Sequence, residues 1–305
     1  MKRILLLASF TFILYISVFS QTYTAGETYF GDNDYIEYKA GNLPTVISAP
    51  HGGSLTPVQI PDRDCYGCVY VTDAFTEDLI RQMNEAIFDL FGCYPHIIIN
   101  RLKRTKMDAN RDIWDAANGN VLAKKAWHDF HNFIQAAKDT ITAKYGKGLY
   151  LDLHGHGHQN QRLELGYRIS KSELQQSNTS LNQAKYVNDA SIRNLVNDNL
   201  NDYTLSILLR GEDSFGELYE QESYPAVPSH TQPFPLNSEP YFDGGYNTER
   251  HGSKSGGSID GIQIECNKVG VLCLMNSGKF YSKTTMWTPI LLRYQHIVFR
   301  KGCTY

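Results

Sequence analysis

Five short β-rich apolar runs, spaced by stretches long enough to hold helices, constrain this chain more than any other feature. They are Thr45–Ala49 (TVISA), His96–Ile99 (HIII), Gly148–Leu153 (GLYLDL), Leu205–Leu209 (LSILL) and Ile262–Ile264 (IQI). Runs that are apolar at consecutive positions suit strands covered on both faces. Between the first two lies Asp73–Phe91, apolar at Ala74, Phe75, Leu79, Ile80, Met83, Ile87 and Leu90, a helical period that Gly92 should close. Ala126–Lys144 reads as a second helix and Leu181 to Leu200 as a third. This alternation predicts an α/β fold: a mixed, mainly parallel sheet with helices on both faces. With 42% hydrophobic and 20% charged residues among 305, the chain has enough apolar material for a sizeable core, which excludes a disordered or fibrous protein. The Pro/Gly-rich stretch Tyr224–Gly257 has little periodicity, and a connection that long is expected to form a lid or a pocket wall.

The first twenty residues belong to a different economy. Lys2-Arg3 precede the apolar run Ile4–Phe19, and Val18-Phe19-Ser20 stands before Gln21. That is the grammar of a secretory signal peptide over residues 1–20, leaving one domain over 21–305 and a secreted, periplasmic or extracellular product with no membrane association after cleavage. Losing Lys2 and Arg3 leaves 27 basic against 32 acidic residues, a net of −5, and no basic run, so nucleic acid is not an expected partner. In an oxidising compartment the six cysteines, Cys65, Cys68, Cys93, Cys266, Cys273 and Cys303, predict one or two structural disulfides. Cys65-Tyr-Gly-Cys68 alone lacks the second Cys-x-x-Cys that a zinc knuckle needs. Asn178-Thr179-Ser180 offers a glycan acceptor on a surface loop.

Ligands of open α/β sheets bind beyond the carboxyl ends of the strands. Those ends carry His51-Gly52-Gly53 after the first run, and Arg101, Arg104 and Asp108-Ala-Asn110-Arg111 after the second. The third ends in His154-Gly-His156-Gly-His158, the fourth in Arg210 and the fifth in Glu265. The glycines beside His51 and His154 are expected to leave room for a ligand. Two histidines, one carboxylate and an open position make a hydrolytic zinc site for one Zn2+ ion. His51 and His154 are the expected histidine ligands, with His156 the alternative to His154 and His158 contacting substrate or solvent. The carboxylate should stand near the start of the helix that follows the first strand, which names Asp73, with Asp62 and Asp64 as competitors. Glu265 shares a strand face with Gln263 and is placed to act as general base, deprotonating the attacking water. Arg101, Arg104 and Arg111 suit carboxylate recognition and stabilisation of an oxyanion. His128 and His131, on a helix face, read as structural.

At these residues the sequence resembles two related groups of zinc hydrolases. Pro50-His51-Gly-Gly, Asp73 opening a helix, Asn110-Arg111-Asp112 and Leu151-Asp-Leu-His154 resemble the N-formylglutamate amidohydrolase family. Asn100-Arg101-Leu-Lys-Arg104, Asp108-Ala-Asn110-Arg111-Asp112 and Ser255-Gly-Gly-Ser-Ile-Asp260 with Ile262-Gln-Ile-Glu265 resemble the wider zinc carboxypeptidase fold. The motifs run in family order through most of the chain after the leader. The resemblance implies zinc held by His51, Asp73 and His154, Glu265 as base, Arg104 as oxyanion stabiliser, and Asn110 and Arg111 as a clamp on a substrate carboxylate, with Arg101 beside them. The chain departs from carboxypeptidases at Ser54, where they carry a ligating glutamate, and at Gly252, where they carry a tyrosine. His156, Tyr246 and His251 are expected to complete the substrate site.

Together these readings predict a secreted zinc-dependent hydrolase that cleaves an amide C–N bond of a small molecule or peptide bearing a free carboxylate, such as an N-acyl amino acid. A secreted metallocarboxypeptidase or γ-glutamyl peptide hydrolase is the alternative within enzymes. A non-catalytic binding module derived from such a hydrolase is the alternative outside them, prompted by Ser54 and opposed by a full acid/base and oxyanion set.

Overall fold

The structure, a computed structural model, describes residues 22–198 and 202–268. The expected leader, Cys273 and Cys303 lie outside the described residues. Among the described residues, eight strands form one mixed sheet: β1 (Thr28–Phe30), β2 (Ile36–Lys39), β3 (Thr45–Ala49), β4 (His96–Asn100), β5 (Gly148–His156), β6 (Leu163–Gly166), β7 (Ala226–Val227) and β8 (Ile259–Asn267). Their order is β1-β2-β4-β3-β5-β8-β6-β7. The four central strands β4, β3, β5 and β8 are mutually parallel, while β2 and β6 flank them antiparallel. This is an α/β fold.

The parallel centre needs cover on both faces, and two long helices supply it. Helix α1 (Thr76–Phe91) packs on one face through Leu79, Ile80, Met83 and Ile87, against Ile47, Ala49, Ile97, Ile99, Leu149, Leu151 and Leu153. A short helix α2 (Ile113–Ala117) leads into α3 (Val121–Tyr145), which covers the other face through Trp127, Phe130, Ile134 and Ile141 against Val46, Ile98, Tyr150 and Ile259. The strand period of two sorts every second residue to each helix. On the α1 face the four central strands stay apolar toward their carboxyl ends. On the α3 face they turn polar toward the carboxyl ends: Val46 gives way to Ser48, Ile98 to Asn100, Tyr150 to Asp152, His154 and His156, and Ile259 to Gln263 and Glu265. All of these residues are buried. That polar half-face is the floor of the candidate site.

Several expected elements differ from those observed. Leu205–Leu209 is a helix, α8 (Leu205–Arg210), rather than the fourth strand. A five-residue apolar run has no periodicity that separates a buried strand from a buried helical turn. Arg210 therefore ends no strand; it donates to the carbonyls of Leu174 and Gln176. The expected helix from Leu181 to Leu200 is three pieces, α5 (Asn178–Leu181), α6 (Ala184–Asp189) and α7 (Arg193–Asp198), interrupted where Gln183 and Ala190 take extended backbone. Two further short helices, α4 (Lys171–Leu174) and α9 (Phe215–Gln221), pack beside them. Within the Pro/Gly-rich stretch lie β7 and α10 (Tyr246–His251). No helix among the described residues is long and apolar enough to cross a membrane. Cys65 and Cys68 form a disulfide.

Candidate active site

His51 stands two residues past the end of β3, after Pro50, and His154 stands on β5 two residues beyond Asp152 on the same face. Their rings meet edge to face, 4.9 Å apart. Asp73 comes to them from the loop before α1. Its N–H donates to the His51 carbonyl, and its own carbonyl accepts from the Thr76 N–H and hydroxyl. The tight turn that folds this loop back puts Phe75 in the left-handed region, φ 68°, a conformation that persists only where surrounding contacts enforce it. As a result Asp73 Oδ2 lies 3.2 Å from His51 Nδ1 and 3.0 Å from His154 Nδ1. Asp62, by contrast, is exposed and paired with Lys106, and Asp64 is exposed. Asp73 is thus the carboxylate that the fold brings to the two histidines.

The far nitrogens of both rings are anchored. His51 Nε2 is 2.6 Å from Asp108 Oδ1, and His154 Nε2 is 2.9 Å from Asp152 Oδ2. Each of these carboxylates is fully buried and independently held. Asp108 takes the Arg104 Nε–H and the Asn110 N–H; Asp152 takes the Ser48 and Tyr150 hydroxyls. A carboxylate on Nε2 fixes the proton there and turns the Nδ1 lone pair toward the common point, the arrangement that orients metal-ligating histidines. His51, Asp73 and His154 offer ligand atoms within 4.8 Å of one another, and all three are buried. Two nitrogens and a carboxylate oxygen, braced from behind, fit one divalent cation. Burial raises the Asp73 carboxyl, but His51 and His154 outweigh it and hold it well below the usual carboxylate range. Burial likewise lowers the His154 imidazole, but Asp152, Asp73 and Glu265 together raise it above its ordinary value.

Around this centre runs a cleft of about 410 Å³, lined by His51, Asp73, His154 and Glu265, by Arg104, Asn110 and Arg111, and by His156 and His158. Val69, Val71 and Phe242 add apolar lining at its partly exposed edge. Glu265 pairs across the strands with His154. Burial, together with Asp73, Glu164 and Asp152, pushes its carboxyl up to about 8 against the pull of His154. Gln263 donates to Glu265 Oε1, and the Gly245 N–H, on Gln263 Oε1, fixes which end of that amide is the donor. A side chain at 245 would meet the Asn110 amide at 2.5 Å, so only glycine lets this loop close on the cleft. Arg111 donates to the Asn110 carbonyl, and Asn110 Oδ1 accepts from the Asn247 N–H.

Three expected substrate residues stand elsewhere. Arg101 donates to the Asp34 carbonyl and lies over the Phe30 ring, away from the cleft. Tyr246 packs toward Trp127 and His131. His251 is buried against His131, nitrogen to nitrogen at 2.8 Å, beneath α3. The contribution of α10 is the neighbouring Asn247, whose amide approaches Asp152. Gly52 and Gly53 also serve differently from expectation. Added side chains there would strike Thr76 and the Arg101 backbone, so these glycines admit the neighbouring chain rather than a ligand. Sequence reasoning missed the bracing role of Asp152, although its i, i+2 spacing from His154 on a strand carries that signal. It also missed Arg63, which is buried and ties the carbonyls of Val69, Arg104 and Asp115 together behind that edge.

No family model matches this sequence, and no curated protein matches it. Solved structures do. N-formylglutamate amidohydrolase from Ralstonia eutropha JMP134 is similar over 87% of this chain and 98% of that chain, at 13% identity and a TM-score of 0.49. Gene product Atu2144 from Agrobacterium tumefaciens is similar over 86% of this chain and 96% of that chain, at 12% identity and a TM-score of 0.48.

Proposed function

We propose that this protein is an exported, zinc-dependent amidohydrolase that cleaves the amide C–N bond of a small substrate carrying a free carboxylate. One observation carries the reading: two histidine Nδ1 atoms converge on Asp73 with both Nε2 atoms braced by buried carboxylates, in the same cleft as Glu265, Arg104, Asn110 and Arg111. A divalent cation held by His51, Asp73 and His154 would supply Lewis acidity toward a carbonyl oxygen and toward water. Glu265, buried and proton-hungry, takes a proton from the attacking water and delivers it to the leaving nitrogen. Arg104, fixed by Asp108 and the Val71 carbonyl, presents its remaining N–H groups to developing negative charge. Arg111, beside Asn110, is the anchor for the substrate carboxylate.

The test is metal analysis of the purified protein, followed by chelator-sensitive release of amine from a panel of N-acyl amino acids and peptides. Glu265→Gln is expected to lower kcat by about 100- to 10,000-fold with zinc still bound. A protein that takes up no zinc and releases no amine from any member of the panel would leave the binding module as the surviving reading. The apolar lining at the edge favours a second reading within enzymes. Val69, Val71 and Phe242 extend the cleft beyond what a formyl group fills, so acyl groups or residues with apolar side chains should be turned over faster than formyl substrates.

A further inference from the structure

Beside the first constellation the cleft holds a second group of metal-type ligands. His156, His158 and Glu164 offer ligand atoms within 4.8 Å of one another. His156 stands two residues beyond His154 on the same face of β5, so its Cα lies about 7 Å further along the strand. Glu164, on β6, is the cross-strand neighbour of Glu265, which in turn neighbours His154. The row His154–Glu265–Glu164 therefore runs side by side across three strands, with Glu265 between the two groups.

Two members of the second group, His156 and Glu164, are held from behind by backbone groups, and the third, His158, by ring stacking. His156 Nε2 donates to the Arg162 carbonyl, which leaves Nδ1 as its lone-pair nitrogen. That nitrogen accepts a hydrogen bond from the His158 N–H at 3.2 Å, which a bound cation would replace. Glu164 Oε2 accepts from the Phe242 N–H, leaving Oε1 turned to His158 Nδ1 at 2.9 Å. The His158 ring is stacked on Phe242, 4.8 Å between centroids and 11° from parallel. Glu164 is fully buried yet forms no ion pair with lysine or arginine among the described residues; His158 is its one ion-pair partner there. Buried carboxylates are stable when paired with a charge or when coordinating a metal. Two imidazoles and a carboxylate of this kind suit zinc or a similar divalent cation.

We propose that His156, His158 and Glu164 form a second divalent-cation site in the same cleft, so that the folded protein binds two cations. This inference rests on the first reading for its setting but not for its ligands. The experiment strips the purified full chain with a chelator, dialyses it against a small molar excess of Zn2+ and counts bound zinc per chain. Far-UV circular dichroism confirms that each variant is folded. Wild type should hold two equivalents, and His158→Ala, whose ring is part-exposed, should hold one. Asp73→Ala, which breaks only the first group, should also hold one. Co2+ in place of Zn2+ should give two separable increments of visible absorption, the second missing in His158→Ala and in Glu164→Gln. One equivalent in wild type that persists in His158→Ala overturns the second site and leaves the first intact. One equivalent that is lost in His158→Ala but kept in Asp73→Ala supports the second site and sinks the first. No bound zinc in folded wild type overturns both.

Discussion

Asp152 and Asp108 touch no expected substrate, yet the candidate centre depends on them. Each accepts from the Nε2 of one histidine, and each is wholly buried. Converting either to asparagine should preserve the shape while weakening the hold on ring orientation and lone-pair basicity. Asp152→Asn and Asp108→Asn are each expected to lower zinc affinity by about 10- to 100-fold, read by competition with a chromogenic chelator. Unchanged affinity in folded variants would remove the bracing role. At this scale the histidines at strand ends, Asp73 and Glu265 were legible because their types are unusual next to apolar strands. Arg101 and His251 were misplaced because linear proximity to a motif does not say which way a side chain leaves the backbone. Arg101 follows β4 directly, yet turns to Asp34 and Phe30.

Among the elements, α1 does two jobs: it covers one face of the sheet, and the loop before it carries Asp73. Met83 is fully buried in that interface, so Met83→Ala should cost about 2–5 kcal/mol in urea unfolding through the cavity it leaves. Gly92 ends the same helix with φ 63° and open space around it, so Gly92→Ala should cost only about 1 kcal/mol, from backbone strain alone. Equal costs at the two positions would contradict this division between packing and conformation. The period of α1 and its glycine stop were plain in the sequence, as were β3, β4 and β5. The region from Leu181 to Leu209 was not. Its short apolar runs fit either strand or helix, and the choice falls to packing, with Leu205, Leu208 and Leu209 buried in the same core as α1.

For the molecule as a whole, stability should carry the mark of Asp260. This residue is buried on β8, accepts from Ser253, Asn194 and the Leu195 N–H, and is pushed by burial from 3.8 to about 6. The folded state thus prefers the protonated form. That contribution is fully present below about pH 4 and is lost as pH rises through about 6. Asp260→Asn should therefore gain on wild type across that window, by up to about 3 kcal/mol, in denaturant titrations at matched pH; parallel stability curves would exclude it. Export is tested by N-terminal sequencing of the protein recovered outside the cytoplasm, which should begin at Gln21. The sequence by itself determined the layered α/β plan, because strand and helix periods are local and each apolar run must be covered. It also determined which residue types were available for metal and acid/base chemistry. Only the tertiary structure decided that Asp73 rather than Asp62 or Asp64 meets the histidines, that Asp108 stands behind His51, and that Glu265 lies between His154 and Glu164. Those choices are made by loops folding back and by strands pairing side by side, and contacts between residues 22 to 111 positions apart have no local signal in the chain.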